Sequence, residues 1–168
     1  MRIVLVEPEI PQNTGNISRT CAATGMSLHL IEPLGFSIDE KHVRRAGLDY
    51  WQYLDLHVHP SFEDFLEKFG DEPIYYLSTK APRAYSQANF EKDCTLVFGK
   101  ETKGLPEELL AKNYDRCFRI PMLPGIRSLN LSNSVAIVAY EALRQNGFSG
   151  MLEEGRLTTI DMNGAQDL

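Results

Sequence analysis

Short apolar runs alternate along this chain with segments of helical spacing, the pattern of a mainly parallel sheet flanked by helices. RIVLVEP opens with a strand, GNISRTCAATG reads as a helix closed by Gly25, and LHLIEP as a second strand. IDEKHVRRAG predicts a short helix with Asp39 as N-cap and Gly47 as terminator. LHVHP predicts a weak strand, and SFEDFLEKFG a helix capped by Ser61. PIYYLST, CTLVFG and RCFRIP supply three more strands, the last two separated by the helix PEELLAKN with Pro106 at its first turn. The expected fold class is α/β. One domain spans residues 1–150, and a polar tail over 151–168 is expected to fray.

One helix breaks the amphipathic pattern. From Ser128 to Tyr140 the only ionisable group is the tyrosine, and Val135 to Tyr140 present apolar side chains on every side. A helix apolar all round must be buried all round. In a domain this small the sheet covers one face. A second copy of the chain is the simplest cover for the other, the alternative being a helix enclosed within one subunit. The polar approach SLNLSNS supplies candidate caps and backbone amides.

Composition sets wide bounds. With 168 residues, 43% hydrophobic and 24% charged, the chain suffices for one domain with a sizeable core. No apolar run approaches the roughly 20 residues of a membrane span, and the N-terminus lacks a signal-peptide layout, so a cytoplasmic protein is expected. Cys21, Cys94 and Cys117 are odd in number and widely spaced, and read as reduced, mostly buried thiols. The net charge of -6 would oppose a nucleic-acid partner if it were spread evenly, but residues 61–72 carry -4 and residues 151–168 carry -3, leaving +1 for the rest. That distribution permits a local anionic site.

Three strands run into loops of small, polar or turn-forming residues: LSTKAPRAYS, GKETKGLP and PMLPGIRSLNLS. In a parallel sheet these emerge at one edge, outside the carboxyl ends of the strands, where open α/β folds bind ligands. One such loop would merely turn the chain; three in succession point to a site. GKETKGLP has the outer glycines of a phosphate loop but continues with Leu105 and Pro106 where Lys and Ser or Thr are needed. The dinucleotide fingerprint is missing after every predicted strand. His57 and His59 have no further ligand at metal spacing and read as structural or solvent-facing, so no metal is assigned.

EPEIPQNTGNISRTCAATG, RRAGLDYW, LVFGKETKGLP and RIPMLPGIRSLNLSNSVAIVAYEA, in this order, resemble the successive motifs of the SPOUT superfamily of trefoil-knotted RNA methyltransferases. More narrowly they resemble its members that methylate the wobble cytidine or uridine 2'-hydroxyl of tRNA. The likeness runs to about Gly150 and leaves only the acidic tail outside. It implies a C-terminal knot and S-adenosylmethionine bent among the three loops, held largely by backbone groups at Leu77, Ser78, Gly99, Ile120 and Ser128, with Met122 and Leu129 enclosing the adenine. Backbone recognition accounts for the lack of a side-chain cofactor motif.

The same resemblance implies catalytic roles for Arg19, Asn13 and Glu101, with Arg19 entering the cleft of the opposite subunit of a homodimer. Asn16 and Ser18 match the same motif. A guanidinium is almost never deprotonated, so Arg19 more readily orients the adjacent phosphate and stabilises developing alkoxide charge than acts as a base. Glu101 holds either that arginine or its own loop, or is a solvated carboxylate. Lys41, Arg44 and Arg45 fall at i, i+3 and i+4, with Tyr50 and Trp51 shortly after. By themselves they read as a solvated face; beside the resemblance they read as contacts to the tRNA anticodon arm, joined by Arg83, Lys103 and Arg127. Tyr140 matches a position near the cofactor and knot, or is a core tyrosine with a satisfied hydroxyl. Two rival readings stand: a SPOUT enzyme acting on another tRNA or rRNA site, and an RNA-binding relative without turnover.

Overall fold

The computed structural model describes residues 1–37 and 51–158. The helix expected over 38–47 falls outside the described residues, and Lys41, Arg44, Arg45 and Tyr50 with it. The described strands are β1 (Arg2–Val6), β2 (Ser27–Ile31), β3 (Leu56–His59), β4 (Ile74–Leu77), β5 (Arg83–Ala84), β6 (Thr95–Phe98) and β7 (Cys117–Arg119). They form one sheet in the order β3-β2-β1-β6-β4-β7-β5, with every pair parallel. Register is fixed at the centre, where Arg2 of β1 pairs with Ser27 on one side and Thr95 on the other.

Helices α1 (Pro11–Thr24) and α4 (Leu131–Gln145) cover one face, and α2 (Phe62–Phe69) and α3 (Glu107–Lys112) the other. The alternation of strand side chains divides β1 between the two layers. Ile3 and Leu5 pack with Ile17 and Cys21 of α1 and Val135 and Val138 of α4. Val4 and Val6 pack with Phe65 of α2 and Leu110 of α3. Burial on both faces is why β1, β2 and β6 read as nearly continuous apolar runs. Phe65 is fully buried, and burying such a side chain contributes about 1.5–3 kcal/mol.

Local signals operate as expected at several ends. Gly25 closes α1 at φ +69°, its amide donating to the Cys21 carbonyl. The Ser61 hydroxyl accepts from the Asp64 amide at 3.1 Å, with Glu63 and Asp64 in the first turn of α2 and Lys68 in the last. All three cysteines are free and buried.

Two expectations need correction. Helix α1 starts at Pro11, not near Gly15: proline suits a first helical turn, and Glu101 holds the chain just ahead of it through the Glu9 and Ile10 amides. Residues 83–84, read as loop, form a two-residue strand beside β7. Helix α4 has one face covered by the sheet, through Val135, Val138, Ala139 and Ala142, and leaves Ile137 36% and Tyr140 46% exposed, so the alternative of a helix enclosed within one subunit does not hold.

The strand histidines are structural in part. The His59 Nδ1 proton meets the Asp64 carboxylate at 2.9 Å, which leaves His59 Nε2 to accept from His29 Nδ1 at 2.9 Å and His29 Nε2 to accept from the Ser27 hydroxyl at 3.1 Å. Both rings are buried and sit edge-on to Phe65 and Phe69. His57 is exposed and pairs with Asp55.

Candidate active site at the carboxyl edge of the sheet

After β1 the chain builds outward through β2 and β3, then crosses to place β6 on the other side of β1. The strand order reverses between β1 and β6, so the segments leaving their carboxyl ends diverge and open a crevice. A cleft of about 630 Å³ lies at this edge, a size that suits one small organic ligand. Leu77 and Ser78 enter it from the end of β4, and Gly99, Glu101 and Lys103 from the loop after β6. Ile120, Met122, Arg127, Ser128 and Leu129 come from the segment after β7, and Asn13 from α1. The three loops singled out in the sequence therefore share one cavity.

The loop after β6 has a glycine for a steric reason. Residues 100 and 104 form an antiparallel bridge, with the Gly104 amide donating to the Lys100 carbonyl at 2.8 Å and Gly104 at φ +68°. This folds the loop back so tightly that a Cβ on Gly99 would lie 2.1 Å from the Gly104 carbonyl carbon. Any side chain at 99 would force the loop apart.

Glu101 does not project into the cleft as a free carboxylate. It accepts from the Glu9 amide at 2.8 Å, the Ile10 amide at 3.2 Å and Asn13 Nδ2 at 2.9 Å. Of the alternatives, the structure shows it holding the start of α1. Asn13, buried, accepts in turn from Asn130 Nδ2 at 2.9 Å, and Asn130 Oδ1 caps α4 through the Ser132 amide at 2.9 Å. Asn130 was not singled out by the sequence except as one of several candidate caps in SLNLSNS, and nothing local distinguishes it from Asn133.

Two of the cleft's cations are matched by acids. Lys100 Nζ donates to Glu7 at 2.5 Å, and that bond raises the lysine's pKa; Lys80 donates to Glu107 at 2.5 Å, and the lysine beside it lowers the Glu107 pKa. Among the described residues Lys103 and Arg127 have no carboxylate partner, so the cleft rim is locally basic in an acidic protein. No thiol is available as a nucleophile: burial pushes Cys21 up to about 12 and Cys94 up to about 11. Among the described residues no group of three or more His, Cys, Asp or Glu side chains could hold a metal, and no helix is long and apolar enough to cross a membrane.

Three of the residues expected at the site lie outside the cleft. Arg19 is exposed on α1, about 1.7 turns beyond Asn13. Arg83 is on β5 with its guanidinium 4.8 Å above the Phe118 ring, and Tyr140 is on the open face of α4.

An all-parallel sheet with a cleft at its switch point, lined by Lys103 and Arg127 among others, has the architecture of the open α/β proteins that bind ligands outside the carboxyl ends of their strands. Residues 1–140 match the SpoU rRNA Methylase family, and the chain belongs to that family. The tRNA (cytidine(34)-2'-O)-methyltransferase of Saccharophagus degradans is 50% identical over 149 residues, covering 88% of this chain and 97% of the relative. A structure described as giving insights into the 2-OH methylation of C/U34 on tRNA superposes with a TM-score of 0.82 at 46% identity, covering 87% of this chain and 95% of that one. An AdoMet-bound rRNA methyltransferase from Sinorhizobium meliloti superposes at 0.74 with 25% identity, over 85% of this chain and 55% of that one. The fold is that of the SPOUT methyltransferases.

Proposed function

We propose that this protein transfers the methyl group of S-adenosylmethionine to the ribose 2'-hydroxyl of the wobble cytidine or uridine of tRNA, working as a homodimer with one methyltransferase domain over residues 1–150. The carrying observation is the three-loop cleft, one wall of which is a loop whose tight fold requires Gly99. Its chemistry suits this donor: Leu77, Ile120, Met122 and Leu129 offer apolar walls to an adenine, and there is no glycine-rich phosphate cradle, which a donor without phosphate does not need. Backbone groups at Leu77, Ser78, Gly99, Ile120 and Ser128 would hold it. The superfamily's C-terminal knot belongs to the same proposal.

When bound, S-adenosylmethionine supplies an electrophilic methyl carbon on a sulfonium. The protein's share is alignment of the ribose hydroxyl with that carbon and loss of the hydroxyl proton, which requires no metal. Lys103 and Arg127 at the rim suit the RNA phosphates on either side of the target ribose, and Lys41, Arg44, Arg45 and Arg83 would extend that contact along the anticodon arm. Arg19 lies outside its own subunit's cleft, which supports service in the partner's: there it would orient the phosphate and stabilise the developing alkoxide. The open face of α4, with Ile137 and Tyr140, and the apolar Leu123 and Ile126 beyond β7 support burial between two subunits, with Tyr140 at or near the interface.

Incubating the protein with labelled S-adenosylmethionine and total tRNA lacking this modification, then mapping the label, tests the reading. The expected product is a 2'-O-methyl group on nucleotide 34. Label on another tRNA position, or on rRNA only, assigns a different site, and tRNA binding without label leaves an RNA-binding relative. Arg19→Ala is expected to keep donor affinity within about twofold while losing at least about a hundredfold in transfer.

A further inference from the structure

We propose that Glu9 and Thr102 are positioning residues through which the cleft loop of one subunit sets the arginine used in the other subunit's cleft. The inference rests on the reading above, in which Arg19 serves the partner. Its structural basis is the seam between the turn after β1 and the loop after β6. Helix α1 has no side-chain cap of its own at Ile10. The two amides just ahead of the helix, of Glu9 and Ile10, donate to Glu101, from the cleft loop, and Asn13 Nδ2 in its first turn donates to the same carboxylate. The traffic also runs the other way: the Glu9 carboxylate accepts from the Thr102 amide at 3.1 Å and from the Thr102 hydroxyl at 2.8 Å, and the Glu7 carboxylate from Lys100 at 2.5 Å. Acids at 7, 9 and 101 thus lace the two segments together, each strand of the seam both giving and receiving.

The lacing is held against a backbone cost. Glu7 sits at φ +51°, a conformation non-glycine residues keep only where their surroundings fix it. Glu9 does not line the cleft, whereas Thr102, to which its carboxylate is bonded, does. Helix α1 is a rigid rod from this seam, and Arg19 stands about 12 Å along it from Pro11. A tilt at the laced end is carried to the guanidinium, and a misplacement of about 1 Å at a reacting centre can cost about a hundredfold in rate. The loop is a wall of its own subunit's cleft, whereas the arginine it steadies would act across the dimer.

Mixed dimers separate the two directions. One subunit carries Arg19→Ala and the other Glu9→Ala, each with its own affinity tag. The remaining arginine then comes from the unlaced subunit and serves a cleft whose lacing is intact. Transfer is expected to fall at least about tenfold below a dimer of Arg19→Ala with wild type, the loss expected when hydrogen bonds to a charged group are removed. With both substitutions in one subunit opposite a wild-type subunit, about half the wild-type rate should return, as one working cleft in two requires.

Donor affinity, measured by calorimetry, should stay within about twofold in the Glu9→Ala dimers, since Glu9 does not line the cleft. Thr102→Val is the milder variant and must rank the dimers in the same order, which guards against a fold defect in Glu9→Ala. Equal rates in the first mixed dimer and its Arg19→Ala/wild-type control would overturn the proposal, leaving the seam a local brace. A fully active Arg19→Ala homodimer would instead remove the reading of Arg19, and this proposal with it.

Discussion

Gly99 is the residue on which the cleft depends most directly. A methyl group there meets backbone at 2.1 Å, and backbone cannot step aside as the end of a flexible side chain can. Gly99→Ala should therefore weaken S-adenosylmethionine binding by at least about tenfold in calorimetry and cost about 1–3 kcal/mol of stability, as overpacking does. Unchanged affinity would mean the loop has a second shape that accepts the donor. His29 offers a test of the opposite edge of the sheet. Burial, and then the charges of His57, His59 and Arg2, push its pKa down to about 3, against about 6.5 when unfolded. The unfolded chain binds the extra proton between these values, so stability should fall as pH drops from about 6.5 towards about 3, by up to about 1.4 kcal/mol per pH unit from this group. Asp55, Asp64 and Lys68 face the same cluster and belong in the fit. Urea titrations across that window should show the slope, and His29→Gln should flatten it.

The elements divide by how local their causes are. Helix α2 carries its own start and stop, and Ser61 alone marks its beginning; Ser61→Ala should lower stability by about 1 kcal/mol in thermal melts and leave methyl transfer at wild-type rate. Of the six strands legible in the sequence, β1, β2, β4 and β6 carry a largely buried apolar run, while β3, with His57 and Val58 exposed, gives the weaker signal. Strand β5 escaped because two residues, one of them an exposed arginine, carry no period; only pairing with β7 makes them a strand. The true start of α1 escaped for a related reason, since the carboxylate that holds the chain just ahead of it, Glu101, lies about ninety residues away. In the site, turn chemistry marked all three loops, and Leu77, Ser78, Gly99, Ile120, Met122, Ser128 and Leu129 share the cleft. The Asn13–Asn130 bond was not legible, because neither asparagine signals its partner's position.

For the molecule as a whole, the unfinished surface is the open face of α4. Its periodicity predicts full burial, and the subunit leaves Ile137 and Tyr140 uncovered. A charge at the centre of an apolar contact would oppose association. Ile137→Glu is expected to shift the protein to monomers in sedimentation velocity and to lose methyl transfer while still binding donor. A monomeric variant with full activity would show that each subunit is complete in itself.

The placement of β6 between β1 and β4 has a consequence for synthesis on the ribosome. When β1, β2 and β3 have emerged, one edge of β1 is bare, and its permanent neighbour is not translated until Phe98. β4 arrives sooner but belongs one position further out, so a nascent chain that docks it early against β1 must release it again. Slow emergence through residues 78–98 would prolong exposure of an apolar strand edge, the kind of surface to which holding chaperones attach and from which aggregates grow.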